Sequence, residues 1–163
     1  MPTHESAQEA AAELTRLTAA LTRAEQELSK ARTTLQEGIV KHLHARSAPP
    51  GELSDHTPYD RVHVGRLGKA AGVPPLRGPD AGPPPVYDEQ TSRAAYTELD
   101  KLTAAFNRAE VKVKKARGPL HEAIIRIYTE RTLTREAIAK HTPYKRNHVG
   151  HIVKTAGAPA IRG

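Results

Sequence analysis

Residues 6–46 read SAQEAAAELTRLTAALTRAEQELSKARTTLQEGIVKHLHAR, a stretch without proline and with the single glycine Gly38. Nothing in it breaks a helix, and Ser6 and Glu9 stand at capping-box spacing, so one long helix is predicted from Ser6 to about Arg46. Its apolar residues recur on a heptad. Ala7, Leu14, Leu21, Leu28 and Leu35 form one row, and Ala10, Leu17, Ala24 and Ala31 form the other, with charged and polar residues between them. Leucine facing alanine makes a narrow seam that requires a partner helix.

The partner is written in the same chain. Residues 13–78 and 98–163 align without a gap at an offset of 85, with 30 of 66 positions identical, which marks a tandem duplication. The second copy repeats the heptad from about Asp88, with Leu99, Phe106, Val113, Leu120 and Ile127 on one row and Leu102, Ala109, Ala116 and Ala123 on the other. Gly118-Pro119 replaces Thr33-Thr34, and an interior proline removes a hydrogen bond and clashes with the preceding turn, so a kink or break is expected there.

After each long helix the pattern predicts a cap of two short helices, at 50–56 and 60–71 in the first copy and at 134–141 and 145–156 in the second. Gly72 and Gly157 supply the stops, with Pro74 and Pro159 beyond them. The Pro/Gly-rich residues 79–87 read as a stiff linker between a first domain at 1–78 and a second at 88–163. About ten extended residues reach roughly 33 Å, whereas a forty-residue helix is about 60 Å long. The expected fold is therefore all-α, with two long coiled-coil-like helices running antiparallel, each followed by a helix-turn-helix cap. The alternative is an extended chain whose seams are filled by a second copy in a homodimer.

Charge narrows the function. Lys and Arg number 25 against 18 Asp and Glu, which favours a polyanionic partner. The excess is uneven, at +3 in residues 13–78 and +8 in 98–163, so the second copy should dominate electrostatic binding. The chain has no cysteine, hence neither a disulfide framework nor a thiolate metal site. No apolar run approaches 18 residues, and His4 and Glu5 stand where a secretory leader would be basic and then apolar, so a cytoplasmic, nucleoid location without membrane contact is expected.

The best-matched stretch of the duplication is polar: His56-Thr57-Pro58-Tyr59, then Arg61, His63, Val64 and Gly65, repeated as His141-Thr142-Pro143-Tyr144, then Arg146, His148, Val149 and Gly150. Ile138 and Ala139, a turn at Pro143, and Val149 and Ile152 fit a helix-turn-helix template, and Leu53, Ser54, Pro58, Val64 and Leu67 fit it in the first copy. The long helix followed by Tyr144, Arg146, His148, Val149, Ile152, Ala156, Gly157 and Pro159 resembles the small helix-turn-helix DNA-binding proteins common in actinobacteria. That resemblance covers Glu13 to Pro74 and Glu98 to Pro159 and implies binding to double-stranded DNA.

The outward face of the second short helix then supplies the reading residues: Lys145, Arg146, Asn147, His148, His151 and Lys154, with Arg61, His63, Arg66 and Lys69 in the first copy. Arginine bonds bidentately to guanine and asparagine to adenine. Tyr59 and Tyr144 either pack the turn or touch phosphate. Arg77 and Arg162, each before a glycine, either follow a helix-exit strap or enter a minor groove. Val62 opposite Asn147 and Asp60 opposite Lys145 predict an asymmetric site. Binding should also tighten as pH falls through about 6.5 if His63 and His148 lie near phosphate.

Other chemistries find little support. Nine histidines invite a metal site, but His42, His44, His148 and His151 have no recurring ligand set across the copies, and neither a metal nor another cofactor is expected. Ser54-Asp55-His56 lies along one helix instead of converging, so no enzyme is expected. The sequence leaves a regulator or nucleoid-associated factor as the first reading and a coiled-coil adaptor, whose caps bind another protein, as the second.

Overall fold

The computed structural model describes residues 2–158, and the Arg162 expectation lies outside them. Among the described residues six helices follow in order: α1 (His4–His44), α2 (Pro50–Asp55), α3 (Arg61–Ala70), α4 (Glu89–Thr129), α5 (Arg135–Lys140) and α6 (Arg146–Thr155). The fold is all-α, with no strand among the described residues. No helix among them is long and apolar enough to cross a membrane.

The first long helix begins about one turn earlier than the capping-box reading of Ser6 suggested, whereas the second begins at Glu89, next to the expected Asp88. Thr3 caps α1, its hydroxyl accepting from the Ser6 N–H at 3.0 Å. Asp88, 85 positions on, caps α4, its carboxylate accepting from the Thr91 N–H at 2.9 Å and the Thr91 hydroxyl at 2.8 Å. Those bonds hold the Asp88 pKa below its ordinary value. Both helices also end alike. Arg46 (φ 52°) and Arg131 (φ 57°) take the left-handed conformation that closes a helix, and the N–H groups of Ser47 and Thr132 reach back to the carbonyls of His42 and Ile127.

Gly118-Pro119 does not end α4, which is helical from Glu89 to Thr129 with Pro119 inside it. Lys115, Gly118 and Pro119 are all exposed, so the carbonyl that loses its partner lies on the hydrated side of the helix.

The chain divides into two compact units, and these cut across the duplication. One comprises residues 1–26 and 111–163, and the other residues 27–110. Each therefore combines the start of one copy's long helix with the end of the other's long helix and its cap.

In the 27–110 unit the core consists of Leu35, Ile39, Leu43, Ala48, Leu53, Val64, Ala95, Leu99 and Phe106. Fully burying a leucine or isoleucine here contributes about 1.5–3 kcal/mol. Rising residue number along α1 and the turn after it meets falling number on α4: Gly38 with Leu102, Lys41 and His42 with Glu98, and the Ser47 carbonyl with the Ser92 hydroxyl. Gly38 has a packing reason, since a Cβ there would come within 2.6 Å of a Leu102 methyl. Buried His42 is structural, held by Ser47 at 2.9 Å and Glu98 at 2.7 Å.

In the other unit Leu14 and Leu21 of α1 are buried, as are Leu120, Ile124 and Ile127 of α4, Ile138 of α5, and Val149, Ile152 and Val153 of α6. Glu13 pairs with Arg126, and the Thr18 hydroxyl donates to the His141 carbonyl at 3.1 Å. Thr103 and His56 make the equivalent bond in the 27–110 unit at 2.9 Å, so each cap is tied to the long helix of the other copy. Leu14, Leu21 and Leu35 are at most 1% exposed in the single chain. Leu28 and Ala7 of the same row are half-buried.

Candidate nucleic-acid interface

The two units differ most in charge. Residues 1–26 and 111–163 hold 14 Lys and Arg against 7 Asp and Glu, whereas residues 27–110 hold 11 against 11. The whole net charge of +7 thus resides in the unit that contains α6, a sharper division than the sequence copies show.

The apolar residues of α6 decide which way it faces. Val149, Ile152 and Val153 are buried, so Asn147, His151 and Lys154, spaced four and three residues apart, occupy the opposite, exposed side. Lys145, Arg146 and His148 are exposed at its start. In α3, Val64 and Gly68 are buried and Leu67 is half-buried, leaving Arg61, His63, Arg66 and Lys69 exposed with Val62, which is 62% exposed at the position of Asn147. Arg77 is exposed beyond that helix.

The helix starts diverge electrostatically. Asp60 caps α3, its carboxylate accepting from the His63 N–H at 2.7 Å, which fills that donor and sets a negative charge where a phosphate would approach. Lys145 stands at the same place on α6 and makes no side-chain cap. The first turn of α6 keeps its open N–H groups beside a cation, an arrangement favourable to anions.

Three expected contacts are modified. Arg146 forms an ion pair with Glu136 of α5, whose pKa is lowered by backbone hydrogen bonding and by the charges of Arg146 and Arg135. Gly51 occupies the Glu136 position in the other unit. Arg146 is therefore exposed but already matched to a carboxylate. Tyr59 packs its turn: its ring stacks on His63 at 4.3 Å and lies 6.4 Å from Phe106, and its hydroxyl is buried without a hydrogen-bond partner. Tyr144 stacks on His148 at 4.7 Å and hydrogen-bonds His121 of α4 at 2.9 Å. In this conformation the Tyr59 hydroxyl is buried away from any phosphate, and the Tyr144 hydroxyl is engaged by His121.

Arg135 of α5 and His121 of α4 were missed by sequence reasoning. Arg135 lies over Gly150, its guanidinium 3.0 Å from where a Cβ would stand, so this glycine makes room for a cation from α5. Gly65 has nothing within 4 Å, and Pro50 replaces the arginine. The signal was present in the pairing of Arg135 with Gly150 against Pro50 with Gly65, but contact across a turn is not visible in spacing.

His121 also belongs to this surface. Burial, then the charges of Arg117 and His148, push its pKa below the ordinary value. Among the described residues no group of three His, Cys, Asp or Glu side chains is arranged to hold a metal ion. Ser54 bonds the Gly51 carbonyl, while His56 pairs with Asp100 and stacks on Tyr96, so Ser54, Asp55 and His56 do not converge. No family model matches the chain, and comparison with curated proteins and with solved structures found no similar one.

Proposed function

We propose that the chain is a non-enzymatic double-stranded DNA-binding protein, a transcriptional regulator or nucleoid-associated factor, that presents α5 and α6 as a helix-turn-helix with α6 in the major groove. The observation that carries this reading is the sidedness of α6: Val149, Ile152 and Val153 buried, with Asn147, His151 and Lys154 outward, in the unit that holds the entire +7. Asn147 suits adenine and Lys154 suits phosphate or guanine. Lys145, Arg135 and the open first turn of α6 add anion attraction, and the resemblance to actinobacterial helix-turn-helix proteins points the same way.

On this reading α2 and α3 form a degenerate second module. Asp60 at its cap, Val62 in place of Asn147 and a neutral unit all argue for weaker DNA contact. Exposed Val62 favours the adaptor reading, contact with another protein, for this module alone.

The test is duplex DNA affinity measured against salt. Phosphate contacts give a steep negative slope of log affinity on log salt, about 0.9 per phosphate neutralised. Absence of DNA retention at any salt would reject the reading in favour of the adaptor. Selection from a random DNA pool then reports the preferred sequence.

A further inference from the structure

Lys112, Lys114, Lys115 and Arg117 crowd one stretch of α4, and all four are exposed. The corresponding residues of α1 are Glu27, Ser29, Lys30 and Arg32. On a helix, Lys114, Arg117 and His121 stand three and four residues apart and share one side. That stripe leads to α6. His121 bonds the Tyr144 hydroxyl at 2.9 Å, and the Tyr144 ring stacks on His148 in the first turn of α6. The charge of Arg117 is felt at both His121 and Tyr144, where Glu25 opposes it. Neither Lys114 nor Arg117 has an ion-pair partner among the described residues, whereas Arg126 and Arg146 are paired to Glu13 and Glu136.

We infer that Lys114 and Arg117 of α4 form a second phosphate-contact strip, joined to α6 through His121, Tyr144 and His148, that grips the backbone of the duplex flanking the bases read by α6. The inference rests on the DNA-binding reading. From Lys114 to His121 the strip rises about 10 Å at 1.5 Å per residue, and a duplex carries one charge per about 1.7 Å of axis, so a strip of this length passes several phosphates. The first copy has Ser29 and Gln36 in place of Lys114 and His121, which leaves the extension on the α6 side only. Arginine and lysine contacts to the backbone position the protein without reading sequence. The strip should therefore lengthen the protected DNA on one side of the site and leave the consensus unchanged.

The experiment compares the full chain carrying Lys114→Ala and Arg117→Ala with the full chain carrying Lys30→Ala and Arg32→Ala, which removes the same two charges from α1. Alanine is a good helix former, and all four positions are exposed, so both proteins should retain their helicity by circular dichroism. The α4 double variant is expected to flatten the salt slope by about 1.8, from about 0.9 for each of two phosphates. Its preferred sequence should match the parent's, with less protected flank, and the α1 double variant should leave the slope unchanged. DNA binding retained with an unaltered slope in the α4 variant overturns the inference while sparing the broader reading. Equal flattening by both variants overturns it too, because generic charge then explains the effect. A parent protein that does not bind DNA overturns both.

Discussion

Tyr59 and Tyr144 occupy the same position in the two copies, and removing one oxygen from each should change stability in opposite directions. The Tyr59 hydroxyl is buried with no hydrogen-bond partner, while its ring keeps its contacts with His63 and Phe106. A buried unsatisfied polar group costs about 1–3 kcal/mol. Because Tyr59 is only half-buried as a residue, Tyr59→Phe should stabilise by about 1 kcal/mol, the low end of that range. The Tyr144 hydroxyl bonds His121 at 2.9 Å, so Tyr144→Phe forfeits a bond with a net contribution of about 1 kcal/mol. The two variants should differ by about 2 kcal/mol, or about 4–8 °C in Tm for a chain of this size. Thermal and urea denaturation of the parent and both variants measure this. Shifts of the same sign, or a gap under about 1 kcal/mol, would refute the burial argument. A loss of DNA affinity in Tyr59→Phe at unchanged stability would return that hydroxyl to phosphate.

Further substitutions probe other parts of the chain. Arg131 holds φ 57° at an exposed helix end, so Arg131→Gly should raise stability by about 1 kcal/mol in urea denaturation. His121 has a lowered folded pKa, so below about 6.5 the unfolded chain takes up a proton that the native chain refuses, and stability falls with acid from that point down to the folded pKa. His121→Gln, which copies Gln36 of the first copy, should flatten this loss between pH 7 and 5 when unfolding is followed at each pH. Asn147→Ala should relax base preference at one position by about 1–3 kcal/mol in competition binding, whereas Lys154→Ala should weaken all sequences alike if it contacts phosphate. Freeing Arg146 by Glu136→Gln should tighten DNA binding at low salt and lose that gain at high salt, and Arg146→Ala should weaken binding more than Arg61→Ala in the same titration.

Local signals were legible without coordinates. The heptad leucines, the glycine stops at Gly72 and Gly157 and the apolar pair Val149 and Ile152 depend on spacing along one helix, where a period of 3.6 residues turns sequence directly into a face. The same logic predicted the helices to within a few residues at most ends. Pro119 did not terminate α4 because the outcome depends on whether the orphaned carbonyl meets water, which spacing does not encode.

Contacts between residues distant along the chain belonged to the tertiary structure. The sequence by itself determined that the chain is a duplicated, all-helical protein whose second copy is more basic. Only packing decided that each compact unit takes its long-helix segments from both copies, which puts the full +7 in the unit that contains α6 and leaves α3 in a unit without net charge. Packing also matched Arg146 to Glu136, laid Arg135 over Gly150 and turned the Tyr59 hydroxyl inward. The physical reason is that apolar periodicity specifies which side of a helix must leave water, while the partner that covers it, and the charges brought along with that partner, depend on how the chain returns.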